Sequence, residues 1–198
     1  MKDLIVLGLG NVLCGDDGVG VEAVWLLRQS YELPPEVRLL DGGTLGLALM
    51  SEIAGASAVL LVDAIRDDGP PGTLVRLRGE EVAPAARSRL SVHQIGVTDL
   101  LDGLRLVGAY PESLMLIGLV PETLELGIGY SPAVAAALPG LVAAVAAEIA
   151  ARGFAVAPRQ VAEEGASDDA TNNDPVAAAR QPGPLWSRPA HGPLASRV

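Results

Sequence analysis

The sequence predicts a layered α/β domain, and three observations carry that expectation. Short apolar runs alternate with segments of helical period along residues 4–153. A glycine-rich turn, GLGNVLCGDDGVG (8–20), follows the apolar run LIVL directly. The chain has 198 residues, of which 49% are hydrophobic, enough for one substantial core and too few for two.

The elements follow in order. LIVLGL (4–9) reads as the first strand, and DGVGVEAVWLLRQSYEL, opening near Asp17, as the first helix. VRLLD (37–41) is a second strand closed by Gly42 and Gly43, after which Thr44 is placed to cap a helix over LGLALMSEIAGA. AVLLVDA (58–64) has the continuous apolar character of a strand buried on both faces. IRDDGPPG is a loop by its turn formers, and the alternation in TLVRLR (73–78) predicts an edge strand. SVHQ (91–94) leads into a helix over VTDLLDGLRLVG, SLMLIGLV (113–120) supplies the fifth strand, and Ser131 with Pro132 starts the last helix, which Gly153 ends. In that helix Val134, Leu138, Leu141, Val142, Val145 and Ile149 form the stripe of a helix packed on a core. This stripe argues against membrane insertion of residues 131–151 despite their single charge, Glu148. Residues 1–155 are therefore expected to form the domain, and 156–198, rich in Pro, Gly, Ala, Ser and Asn with no apolar period, a disordered tail.

Charge narrows the partners. The formal net charge of −10 opposes attraction to nucleic acid or an anionic membrane. A single cysteine, Cys14, excludes an intrachain disulfide and a multi-thiolate zinc site, and suits a reducing cytoplasm. The opening Met1-Lys2-Asp3 lacks the pattern of a signal peptide, so a cytoplasmic location is expected.

The turn at 8–20 is a poor phosphate cradle. Leu13 stands where a dinucleotide loop needs its third glycine, and Asp16 and Asp17 put negative charge where a phosphate would sit, with no Lys or Arg in the loop to offset it. Neither ATP nor NAD is expected to bind. A cation is the better occupant. Side chains at the carboxyl ends of parallel strands converge on one crevice, and here they are Asp16 and Asp17 after the first strand, Asp41 at the end of the second and Asp63 at the end of the third. A carboxylate closing the run VLLV is costly to bury unless a cation or hydrogen bonds compensate it, or unless it caps a turn. His93 is the one imidazole in the folded part, since His191 lies in the tail. One imidazole and two carboxylates make an N,O₂ site with open positions, suited to a first-row divalent ion such as zinc or nickel.

Taken together, GLGNVLCGDDGVG, DGGTLG, LLVDAI, His93-Gln94 and GLVPETLELGIGYSP (118–132) resemble, in consistent order over residues 1 to about 157, the [NiFe]-hydrogenase maturation endopeptidases. The resemblance implies a three-layer α/β/α domain whose five-stranded mixed sheet has the order 2-1-3-5-4, with strand 4 antiparallel. It implies an endopeptidase that removes the C-terminal peptide of the hydrogenase large-subunit precursor after nickel insertion, acting as a monomer. By the same resemblance Asp17, Asp63 and His93 are the metal ligands, and Asp41 matches an acid beside the substrate. The catalytic set is then Asp17, Asp41, Asp63 and His93. The nickel would arrive with the substrate, and zinc or cadmium could replace it in vitro. Two mechanisms stay open: the metal as Lewis acid, or the metal as recognition handle with Asp41 or Asp16 as general base. The alternatives are a non-catalytic nickel-dependent chaperone of the immature subunit and a small-molecule hydrolase on the same scaffold.

Overall fold

The computed structural model describes residues 3–88 and 95–159. His93 and His191 therefore lie outside the described residues, as does the expected tail from residue 160 onward.

Five strands, β1 (Leu4–Leu9), β2 (Val37–Gly43), β3 (Ala58–Ala64), β4 (Leu74–Arg78) and β5 (Ser113–Leu119), form one sheet in the order β2-β1-β3-β5-β4. All neighbours are parallel except β4, which runs antiparallel to β5. This is the expected order, with the expected antiparallel edge strand. The three central strands are apolar over most of their length, Asp63 and Ser113 apart, because both of their faces are covered. Successive residues point to opposite sides, so Leu4, Val6, Leu60, Val62, Met115 and Ile117 enter one core while Ile5, Leu7, Val59, Leu61, Leu114 and Leu116 enter the other. Each fully buried Leu, Ile or Val in these strands contributes about 1.5–3 kcal/mol of burial. A charge at Leu60 would break the first core.

Helices α1 (Val19–Ser30) and α5 (Pro132–Ala151) cover the first face, and α3 (Val82–Ser88), α4 (Ile95–Leu106) and the segment 46–53 cover the second. The result is the three-layer sandwich. Ser131 caps α5 by accepting the Val134 N–H at 3.3 Å, and Pro132 occupies the first turn, where a missing N–H costs nothing. By length and composition alone α5 could cross a membrane. Its stripe of Val134, Leu138, Leu141, Val142, Val145 and Ile149 is instead buried against the sheet and α1.

Three local expectations need correction. The helix expected after Thr44 is a 3-10 turn (Gly46–Leu49) followed by the single turn α2 (Met50–Ile53), with no side-chain cap. Gly46 adopts φ +51° and packs so closely on Gly96 of α4 that a Cβ would lie 2.7 Å from the Gly96 Cα, and this approach replaces regular helix. The first helix stops at Ser30, because Pro34 and Pro35 lie ahead and Leu33 is biased away from helix. Tyr31–Glu32 pairs antiparallel with Ala157–Pro158, and the Arg159 N–H donates to Ser30 O at 2.8 Å. The compact unit thus runs through Arg159, past the expected boundary at 155.

Candidate active site

The carboxyl ends of β1, β2, β3 and β5 lie at one edge of the sheet, and the turn at 10–18 shapes the cleft there. Gly10 has φ +117° and lies against the backbone of Asp17, where a Cβ would fall 1.8 Å from Asp17 O. Residues Gly15–Gly18 form a 3-10 turn that leads into α1. Gly20, in the first turn of α1, lies on the backbone of both neighbouring strands, with its Cβ position 2.0 Å from Val62 O and 2.5 Å from Leu9 O. Only glycine permits that approach. It brings the turn carrying Asp17 onto the end of β3, one residue past Val62, where Asp63 emerges.

Asp17 and Asp63 are both fully buried. Asp17 Oδ2 accepts the Asn11 N–H at 2.8 Å, while its Oδ1 is buried with no hydrogen-bond partner. Asp63 Oδ1 accepts the Ala64 N–H at 2.7 Å. Burial, and after it the negative charge of Asp17, pushes the Asp63 carboxyl well above its ordinary pKa, against the opposing effect of the Ala64 N–H. Two buried carboxyl groups thus lie close enough for the charge of one to oppose ionisation of the other. A divalent cation would remove both anomalies, because it would supply the missing partner of Asp17 Oδ1 and neutralise the repulsion that raises Asp63. The donor set fits a metal in that sense. Among the described residues no group of three His, Cys, Asp or Glu side chains is arranged to hold one. The third expected ligand, His93, lies outside them; α4 begins at Ile95, and its Gly96 meets Gly46 in the segment that follows β2.

Asp16 is also fully buried, but it does different work. Its Oδ2 accepts the Glu122 and Thr123 N–H groups at 2.8 and 3.2 Å, and its Oδ1 accepts the Ser131 N–H at 2.7 Å. Three backbone donors engage this carboxylate, and one of them belongs to the cap residue of α5, where the helix dipole favours negative charge. A carboxylate so engaged is a clamp between the turn at 8–20 and the loop that follows β5. Asp41, the other candidate base, lies two residues before the end of β2, opposite Gly8 of β1, and is exposed. It shares the sheet edge with Asp17 and Asp63 but is not buried with them.

Sequence reasoning missed the Asp16 clamp, since adjacent aspartates look alike until the turn fixes which one faces the cleft. It also missed the apolar tips around the cleft: Leu13, Leu126 and Ile128 are 56%, 87% and 71% exposed. No period marks them, and only their position between turn glycines hinted at exposure.

Comparison with known proteins adds four findings. A family model described as hydrogenase maturation protease matches residues 21–148. The chain is 39% identical over 158 residues to the hydrogenase 2 maturation protease of Escherichia coli strain K12, spanning 79% of this chain and 96% of that one. Among solved structures, a hydrogenase maturating endopeptidase from E. coli superposes with a TM-score of 0.76 at 39% identity, covering 80% of this chain and 98% of its own. A [NiFe] hydrogenase maturation protease from Thermococcus kodakarensis gives a TM-score of 0.60 at 28% identity over 76% of this chain and 98% of its own.

Proposed function

Because the chain belongs to the hydrogenase maturation protease family, and is a peptidase by that membership, we propose that it removes the C-terminal peptide of a [NiFe]-hydrogenase large-subunit precursor and reads the nickel that this substrate carries. The observation that supports the reading most is the pair of buried carboxyl groups at the sheet edge: Asp17 with a partnerless Oδ1, and Asp63 with a carboxyl that burial, and after it Asp17, pushes well above its ordinary pKa. Such a pair is destabilising in the metal-free protein and becomes favourable against a cation.

In this mechanism Asp17 and Asp63 take the nickel of the precursor and His93 completes the set. Engagement of the metal fixes the chain that bears it, so the bond to be cut is brought to the cleft without a large recognition surface. Metal binding would require both acids ionised, so the raised pKa of Asp63 would weaken it as pH falls. The bond is then hydrolysed in one of two ways: the nickel polarises the scissile carbonyl or activates water, or Asp41 takes a proton from the attacking water while nickel serves as a handle. The three backbone donors on Asp16 favour Asp41 as the base in the second route.

Incubation of the purified protein with nickel-loaded and nickel-free precursor tests the reading. The expected result is release of a discrete C-terminal peptide from the nickel-loaded form alone, abolished by His93→Ala and by Asp17→Ala with the fold retained. Tight binding without trimming would overturn it in favour of a chaperone. Unchanged processing by His93→Ala would remove His93 from the ligand set.

A further inference from the structure

We infer that Leu13, Leu126 and Ile128 form a preformed apolar edge on which the folded body of the precursor docks beside its metal-bearing segment; the inference takes the proposed substrate as its starting point. Scattered exposed apolar residues are ordinary on protein surfaces. These three differ because two mutually bonded loops hold them together. The Gly127 N–H donates to Leu13 O and the Gly15 N–H to Gly127 O, both at 2.9 Å, so the backbone that carries Leu126 and Ile128 lies beside the one that carries Leu13. The Asp16 carboxylate fixes the same two loops from beneath through Glu122, Thr123 and Ser131. The tips are thus held in water by a braced backbone, and docking there orders little that is not already ordered.

Position and charge select the occupant. Leu13 belongs to the turn that carries Asp17, so a partner whose metal reached the buried Asp17 would carry that metal next to an apolar surface, as a folded metalloprotein precursor can and a free ion cannot. Neither loop, 8–20 or 119–131, contains a Lys or Arg, while Glu122 and Glu125 stand beside the apolar tips. An anionic membrane or nucleic acid is repelled by that surround. A protein surface with apolar contacts is accommodated.

The test uses Leu126→Asp, Ile128→Asp and the double variant, with Leu106→Asp as control. Leu106 is 88% exposed at the end of α4, just before the chain enters β5 at the opposite edge of the sheet. Circular dichroism and urea midpoints confirm folding, and equilibrium binding and steady-state cleavage of the nickel-loaded precursor are measured for each. The double variant is expected to raise Kd and KM roughly tenfold or more, with kcat at saturating precursor and the affinity of the protease for free Ni²⁺ both unchanged. Leu106→Asp should match wild type. Unchanged Kd in the double variant, or an equal loss in Leu106→Asp, would overturn the docking edge. A wild-type protein that binds precursor without cutting it, with binding lost in the double variant, would support the edge while refuting the peptidase reading; a wild-type protein that does not bind precursor at all would refute the edge.

Discussion

Replacing Asp16 by asparagine keeps the shape of the side chain and removes its charge, so it isolates what the buried carboxylate does. The carboxylate accepts three backbone N–H groups at 2.7–3.2 Å. Hydrogen bonds to a charged acceptor contribute about 1.5–3 kcal/mol each. The donors are only partly buried and can recover some water when released, so about 1 kcal/mol per bond is the fitting figure. Loss of negative charge at the start of the 20-residue α5 adds about 0.5 kcal/mol. An asparagine oxygen can serve the Glu122 and Thr123 donors or the Ser131 donor, but not both, and its NH₂ group then faces a donor. Asp16→Asn should therefore cost about 2–3 kcal/mol, less than the roughly 3.5 kcal/mol for Asp16→Ala, a large part of the roughly 5–15 kcal/mol that holds a domain of this size together. Urea denaturation reads the loss as a lower midpoint at unchanged slope. If Asp16→Asn falls within about 0.5 kcal/mol of wild type, the clamp assignment is wrong, and Asp16 returns as a candidate base.

Further expectations follow from the same geometry. Asp63 has a raised pKa, so the metal-free folded state binds its proton more tightly than the unfolded chain does; stability should decline as pH rises from the ordinary value of 3.8 through the folded pKa. Asp63→Asn should therefore stabilise the metal-free protein at neutral pH and converge with wild type below that ordinary value, and melts over a pH series that show a constant difference would contradict the account. Gly20→Ala would drive a Cβ to within 2.0 Å of Val62 O, so α1 must lift off the sheet; a loss of about 3 kcal/mol or more is expected in urea titrations, and a near-neutral effect would show that the close approach is dispensable. Truncation after Arg159 should leave the urea midpoint unchanged, whereas truncation after residue 155 removes the pairing of Ala157–Pro158 with Tyr31–Glu32 and should cost about 1 kcal/mol. Equal midpoints for the two truncations would argue against that pairing.

The strands were legible because burial on both faces demands uninterrupted apolar runs, and LIVLGL, AVLLVDA and SLMLIGLV have no other use for them. Their order was not legible from periodicity; it came from the resemblance, since pairing across the sheet joins residues far apart in the chain. Asp17 and Asp63 could be singled out because each carboxylate follows an apolar run, where its burial must be explained. The bracing role of Asp16 was not legible because its partners, Glu122, Thr123 and Ser131, lie more than a hundred positions away and offer backbone N–H groups, which no residue type announces. The pairing of Tyr31–Glu32 was hidden for a similar reason: two residues carry no period, and they continue an amphipathic run. The segment after Thr44 shows tertiary packing overriding propensity, with the contact of Gly46 on Gly96 deciding against a long helix.

The bond between Asp16 and Ser131 spans 115 residues and sets an order of events during synthesis. The aspartates of the first turn leave the ribosome early, but the groups that shape that turn are made only with the loop after β5 and the start of α5. Contacts of such separation form late in folding, because the intervening chain must be closed first. A nascent chain halted before residue 122 would carry Asp17 and Asp63 with none of the donors that brace their neighbour. The turn that carries Asp16 and Asp17 is therefore braced only once the chain beyond β5 has been made.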